Sequence, residues 1–413
     1  MTTTEQAVRE ENIRAIVSFF ESGVERCSQR LGVELEHTLV HADGSPVSYS
    51  EPHGVRWLLE DLKDVYPVAT YDEEGDILGV ARAGSAVTIE PASQVELSAG
   101  PFATLDDARR CFDAFEHELG ARLAPFGIMA LATGYHPSSK AADLELIPKR
   151  RYELMNAYLG AISPFGVCMM RGSASTQVSI DYSSVDDCLR KLRLAFAAVP
   201  IISLMCDNAP TFEGAPRTHR MVRTEIWQHC DPDRCGVVPG VMDPSFTLAD
   251  YAAYILDTPA ILVPGPDGTW VADARTFGEI YATRPMSKRD VEHALSMNFC
   301  DVRLKTYIEI RPADAMPVPY AIAYAALIKG LFYCEESLGA LDRLFAGVTE
   351  QMIEDAKLSL MERGYEGAVY GRSAAEVADE LVAIAEAGLA EDERAHLEPL
   401  AQLVRLRTTL AEL

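Results

Sequence analysis

"GVELEHTLV", Gly32 to Val40, is the stretch on which the fold turns. Side chains along a strand alternate between two faces, so Val33 and Leu35 point one way while Glu34 and Glu36 point the other. Two neighbouring carboxylates repel unless something positive covers them, and a metal ion does this as well as water. The pattern recurs downstream. In "SQVELSAG", Gln94, Glu96 and Ser98 share a face with Val95 and Leu97 behind them. In "TQVSIDY", Gln177, Ser179 and Asp181 alternate with Val178, Ile180 and Tyr182, and in "VRLKTYIEIR" Arg303, Lys305, Tyr307, Glu309 and Arg311 line one side of a single expected strand. A sheet with one wet face gives the same alternation, but such a face favours Thr, Lys and Ser over Glu and Gln. Hard oxygen donors at Glu34, Glu36, Glu90, Glu96 and Glu309 are what Mg²⁺ requires, and Arg311 beside them suits a phosphoryl group in transfer.

Around these strands the sequence alternates with helices. Ile13, Ile16, Val17, Phe20 and Val24 fall at helical spacing and predict a helix over residues 9 to 30. Residues 185–206 and 287–299 read as helices, the second with Ser287 as N-cap. "VTIEPASQVELS" and "FGIMALATGY" read as further strands, while "TPAILVPGPDGTW", residues 258–270, reads as a loop around a short apolar strand. From about residue 320 the pattern is almost entirely helical. The expected class is α+β. A length of 413 residues alone suggests two or three domains, but nothing resembles a linker. The expectation is therefore one catalytic unit over residues 1–413, with a helical N-terminal segment at 1–30 and a helical part from about 320 to 413 packed on it.

Composition, at 48% hydrophobic and 24% charged residues, is that of an ordinary globular protein. The net charge of −25 argues against a nucleic-acid surface, which needs clustered Lys and Arg. The acidic N-terminus lacks the apolar core of a cleaved leader, and no stretch approaches the roughly 18 apolar residues of a membrane span. Nine cysteines without a CxxC pair suggest reduced thiols, hence a cytoplasmic location without membrane association. Cys230 and Cys235 are near enough in sequence to bridge, which only geometry decides. His37 and His136 are lone histidines, read as structural or solvated. Met169, Met170 and the aromatic residues around Phe165 are read as core.

Six blocks in order carry a resemblance: "GVELEHTLV", "IEPASQVELS", "IPKRRYELM", "MMRGSASTQVSIDY", "VRTEIW" and "VRLKTYIEIRPAD". Together they resemble the plant-type glutamate-cysteine ligases, relatives of glutamine synthetase, over residues 30 to 315, with weaker similarity through "GAVYGRSAAEVADEL". The resemblance implies a curved, mainly antiparallel sheet forming an open barrel with outer helices, and ATP held without a GxxxxGK[ST] loop. It implies that ATP and Mg²⁺ activate the γ-carboxylate of glutamate as an acyl phosphate, which an amine then attacks. Glu34, Glu36, Glu90, Glu96 and Glu309 would be the metal ligands, with Gln177 an additional oxygen donor. Arg311 and Glu309 would be catalytic, and Lys305 with Arg311 would meet the nucleotide. Arg223 and Trp227, four apart and so able to share a helix face, would hold glutamate, with Arg151 and Ser173 as further substrate contacts.

The chain also departs from that family. Ala92 and Ser93 stand where relatives commonly carry two glycines, and Ser173 stands where a Thr is usual. Either change bears on the acceptor side of the pocket. Three readings stay open: a ligase acting on glutamate and cysteine, the same chemistry with another amine, or a non-catalytic glutamate or nucleotide sensor. Small-molecule substrates and a monomer or homodimer complete the expectation.

Overall fold

Strand β1, Leu31–His41, runs through the middle of the sheet and takes neighbours on both edges. The computed structural model describes residues 2–72 and 74–413; Met1, the start of the expected 1–30 segment, and Glu73 lie outside the described residues. The other strands are β2 Val68–Tyr71, β3 Ile77–Arg82, β4 Ser85–Ile89, β5 Val95–Phe102, β6 Ile128–Leu131, β7 Thr176–Ile180, β8 Val302–Leu304 and β9 Ile308–Ile310. Their order is β8-β9-β7-β1-β5-β4-β3-β2, with β6 on the far end of β1, and every pairing is antiparallel. Because β8 and β2 end the order without pairing to each other, the sheet is open, and no barrel closes among the described residues.

The alternation read from the sequence sets the two faces. Leu35, Leu97, Val178, Ile180 and Ile310 are fully buried, and helices Leu105–Leu123, Val185–Met205 and Val318–Phe332 pack on these strands. Each such side chain contributes about 1.5–3 kcal/mol. Helix Val318–Phe332 is apolar on nearly all sides, as a helix buried between other layers must be. Ser184 and Ser287 cap helices Val185–Met205 and Lys288–Ser296, the second in a capping box with Asp290.

Four local expectations change. The "VRLKTYIEIR" segment is not one strand but the hairpin β8–β9, which sets Arg303 directly opposite Glu309. A period of two cannot tell a straight strand from two strands around a tight turn, and Lys305, Thr306 and Tyr307 lack the Gly or Asn that marks one. Residues 258–270 open a second hairpin, Pro259–Pro264 with Trp270–Thr276. The first helix spans Thr3–Glu21, started by a Thr2–Glu5 capping box, and Val24 belongs to a separate short turn. The helical C-terminal part is interrupted by the strand pair Ala368–Val369 and Arg372–Ser373. All nine cysteines are free, Cys230 and Cys235 among them. No helix among the described residues is long and apolar enough to cross a membrane.

Candidate active site

The polar face of the sheet walls a cavity of about 270 Å³, and register explains who meets whom in it. Glu36 lies opposite Glu96 across β1 and β5, and Glu34 lies opposite Ser98 on one side and Gln177 on the other. Like charges opposed on one sheet face destabilise it unless they are neutralised. No cationic side chain among the described residues touches Glu36 or Glu96. Glu36 instead accepts from the Ser175 amide at 3.0 Å and hydroxyl at 2.7 Å, and Glu96 accepts from Thr88 at 3.0 Å and Ser98 at 2.9 Å. Burial, then the nearby Glu90, pushes Glu36 up to about 7. Burial and the neighbouring Glu34, Glu90 and Glu36 hold Glu96 well above the carboxylate range, and Glu34 is raised by burial and by Glu309. Glu90, just beyond β4, accepts from Tyr152 Oη at 3.3 Å.

Glu309 stands apart. Its Oε2 takes Arg303 at 2.7 Å and Arg311 at 2.9 Å, and its Oε1 takes Lys305 at 2.9 Å. Burial would raise its pKa, but Arg303, Lys305 and Arg311 outweigh that and hold it far below the usual range. As the chain stands Glu309 is the counter-ion of three cations, where the resemblance implies a metal ligand. Gln177 is likewise engaged, its carbonyl oxygen accepting from Arg311 and its amide reaching Ser175 at 3.2 Å. Among the described residues no three carboxylate, imidazole or thiol groups already converge as a metal cage. The donors nevertheless suit Mg²⁺, because Glu34, Glu36 and Glu96 are hard oxygens that no side-chain cation among the described residues meets directly. Mg²⁺ commonly keeps waters and substrate phosphates in its shell and needs only one or two carboxylates.

Two more arginines line the cavity from elements outside the sheet. Arg223, on helix Val222–Gln228, is buried, donates to the Ala313 carbonyl at 2.9 Å and stands 3.8 Å from the Asp314 carboxylate. Its Nε has no partner among the described residues. The segment after β9 reaches it by bridging Asp314 to Ser175. Burial pushes Asp314 up to about 7 against the pull of Arg223. Trp227, one turn on, shares the wall. Arg151, at the start of helix Arg150–Ile162, donates to Ser296 Oγ at 2.9 Å. Ser173 also lines the cavity, with its hydroxyl turned to the Met169 carbonyl at 2.8 Å. Met169 and Met170, expected as core, are buried and line the cavity too.

The sequence reading did not single out Ser175, Thr88 or Tyr152. Ser175 lies next to a quoted strand, yet only folding brings it to Glu36, and Thr88 and Tyr152 gain their partners through register and helix docking. His37 is buried with Glu116 at 3.4 Å, and burial lowers His136 to about 4.

Known proteins resemble the chain at two levels. The glutamate-cysteine ligase B of rice, a chloroplastic protein, is 28% identical over 87% of this chain and 74% of its own length. The chloroplastic glutamate-cysteine ligase of Medicago truncatula is 31% identical over 82% of this chain and 69% of its own. The solved glutamate-cysteine ligase of Francisella tularensis, in complex with AMP, has a TM-score of 0.58 at 13% identity, covering 92% of this chain and 83% of that one, and shares the fold. The expected cytoplasmic location is overturned by these relatives, whose names point to the plastid. Reduced thiols do not single out the cytoplasm, so the cysteine argument never separated the two compartments. The family model for glutamate-cysteine ligase family 2 matches residues 30–411, and the chain belongs to that family.

Proposed function

We propose that this chain forms γ-glutamylcysteine from glutamate, cysteine and ATP in the cavity between the sheet and helices Arg150–Ile162 and Val222–Gln228. Family membership carries the reaction class. A carboxylate does not react with an amine, so the γ-carboxylate oxygen first attacks the terminal phosphorus of ATP, giving γ-glutamyl phosphate and ADP. The neutral amine of cysteine then attacks the acyl carbon, phosphate leaves, and the nitrogen loses a proton. The observation that supports placing this here is one wall with buried carboxylates that no side-chain cation among the described residues touches and an adjoining wall with three cations on one carboxylate.

In this reading Arg303, Lys305 and Arg311 meet charge developing on the transferred phosphoryl group, and Glu309 keeps them in place beforehand. Glu34, Glu36, Glu90 and Glu96 would hold Mg²⁺, which would supply positive charge against the phosphates of ATP. Arg223 and Trp227 hold glutamate. An adjoining cavity of about 550 Å³ shares Glu34 and carries Arg30, Arg82 and Tyr307 on its walls, which supports lodging the nucleotide's base and sugar there. A sheet curved around the site, the open-barrel form of the resemblance, fits β1, β5, β7 and β9 all supplying wall residues. Residues 1–413 act as one catalytic unit, as a monomer or homodimer. ADP release should require glutamate, cysteine and Mg²⁺ together and yield a γ-linked dipeptide by mass spectrometry. ADP release that ignores cysteine, or a different product, would sink the reading.

A further inference from the structure

In the function proposed above, glutamate and the phosphoryl group are gripped by different elements. Arg223 and Trp227 stand on helix Val222–Gln228, outside the sheet, whereas Arg303, Lys305 and Arg311 belong to the hairpin β8–β9 and its exit. Phosphoryl transfer needs the attacking carboxylate oxygen about 3–3.5 Å from phosphorus, so the spacing of the two elements is part of the chemistry. The helix cannot set that spacing by itself. It has seven residues, and its N-cap, Met221, gives it no side-chain bond.

One end of the helix is tied directly, by Arg223 Nη1 donating to the Ala313 carbonyl at 2.9 Å. The other end is tied through a third element. Gln228, the last helical residue, donates from Nε2 to Glu354 Oε2 at 2.8 Å. Glu354 Oε1 takes Lys357 Nζ at 2.7 Å, and the same Nζ donates to Asp301 Oδ2 at 2.6 Å. Glu354 and Lys357 lie one turn apart on helix Glu350–Arg363. Asp301 directly precedes β8, and its carbonyl accepts from the Arg311 amide at 3.1 Å, so its position fixes the backbone of Arg311. These contacts close on the site, because Arg223, Trp227, Asp301 and Arg311 line one small cavity of about 20 Å³ where helix and hairpin meet. Lys357 is the link that both carboxylates need. Its side chain is only 1% exposed; burial works against its charge, but Asp301 and Glu354 outweigh that and raise its pKa.

Resting on that function, we propose that Lys357 is a positioning residue for phosphoryl transfer. By bridging Glu354 and Asp301 it sets helix Val222–Gln228 against the hairpin β8–β9, and so glutamate against the phosphoryl group. Lys357→Met removes both ionic contacts at similar side-chain length. Its kcat should fall about 100-fold, the worth of a misplacement of about 1 Å. Glutamate affinity, read by calorimetry with Mg²⁺ and a non-hydrolysable ATP analogue, should change less than about 3-fold, because Arg223 and Trp227 stay on one helix. Lys357→Arg, which keeps the charge, should restore part of kcat. Gln228→Met should lower kcat about 10-fold, and the double variant should be no slower than Lys357→Met, since both act through Glu354. Kinetics is read well below the Tm of each variant. A lower Tm with kcat unchanged would make the bridge merely structural and overturn the inference, as would additive losses or a glutamate affinity lost in step with kcat. Should Lys357→Met fail to fold, Gln228→Met alone decides, and an unchanged kcat there overturns the inference. A native enzyme that releases no ADP with glutamate and cysteine would instead overturn the proposed function.

Discussion

Arg223 and Arg311 share a cavity, and on the function proposed above they play different roles that conservative substitution separates. On that function Arg223 would meet a carboxylate that does not react, so its contact would be equal in ground and transition states. Arg223→Lys should raise the KM of glutamate about 30-fold with kcat less affected, because an ammonium cannot reproduce the planar fork. Arg311→Lys should lower kcat with little change in that KM. Identical steady-state profiles would show the two arginines wrongly assigned. Glu309 yields a prediction that the strand pattern alone gets wrong. Seen only as one ligand of five, Glu309→Gln would leave the fold intact. With Arg303, Lys305 and Arg311 all on its oxygens, the same change strands three cations, and loss of one partner of a buried ionic cluster costs about 3–5 kcal/mol. Urea titration should show that loss together with loss of turnover, and unchanged stability would refute the clamp.

At the scale of elements, the turn between β4 and β5 carries Glu90 and leads into Glu96. It closes through the Ser93 amide to the Glu90 carbonyl at 3.0 Å and the Glu90 amide to the Gln94 carbonyl at 2.9 Å. Ser93 has φ of +71°, a conformation that costs a non-glycine residue about 1 kcal/mol, and its buried hydroxyl has no partner among the described residues. Ser93→Gly should therefore raise stability by roughly 0.5–1 kcal/mol, read as a higher Tm, even though glycine loosens the unfolded chain. A lower Tm would mean that the hydroxyl is satisfied. The hairpin β8–β9 makes the complementary point. Its alternation was plain in the sequence, but the turn that sets Arg303 against Glu309 was not.

Across the whole molecule, the buried carboxylates would link the proposed metal to pH. The Glu36 pKa is raised to about 7 by burial first and by Glu90 next, so the folded chain keeps a proton that the unfolded chain releases. Stability from this group is present below its ordinary value of 4.5 and is lost as pH rises through about 7. On the function proposed above, a divalent ion would take the proton's place. Mg²⁺ should then raise Tm by on the order of several degrees at pH 8 and barely at pH 5. Equal shifts at both pH values would remove Glu36 from the ion's surroundings. The helical C-terminal part reaches the same site through Lys357, buried on helix Glu350–Arg363 and bound to Asp301 at 2.6 Å, whose carbonyl accepts from the Arg311 amide at 3.1 Å. Asp301 thus ties that helix to the hairpin holding the three cations.

What the sequence determined by itself were faces and residue types. A period of two is a local property, so Glu34 with Glu36, Gln94 with Glu96 and Gln177 with Ser179 were legible as polar rows over apolar ones. Ser287 was legible as a cap because capping joins residues three apart. Which carboxylates face one another, and which meet cations, only the tertiary structure decided. Glu36 and Glu96 oppose each other through register, Glu309 meets Arg303 through a turn without a turn residue, and Arg151 meets His293 across 142 positions of chain. Electrostatics acts over a few ångströms in space and takes no account of separation along the chain. The same acidic residue type is therefore a cation holder at Glu309 and, among the described residues, a carboxylate that no side-chain cation touches at Glu96.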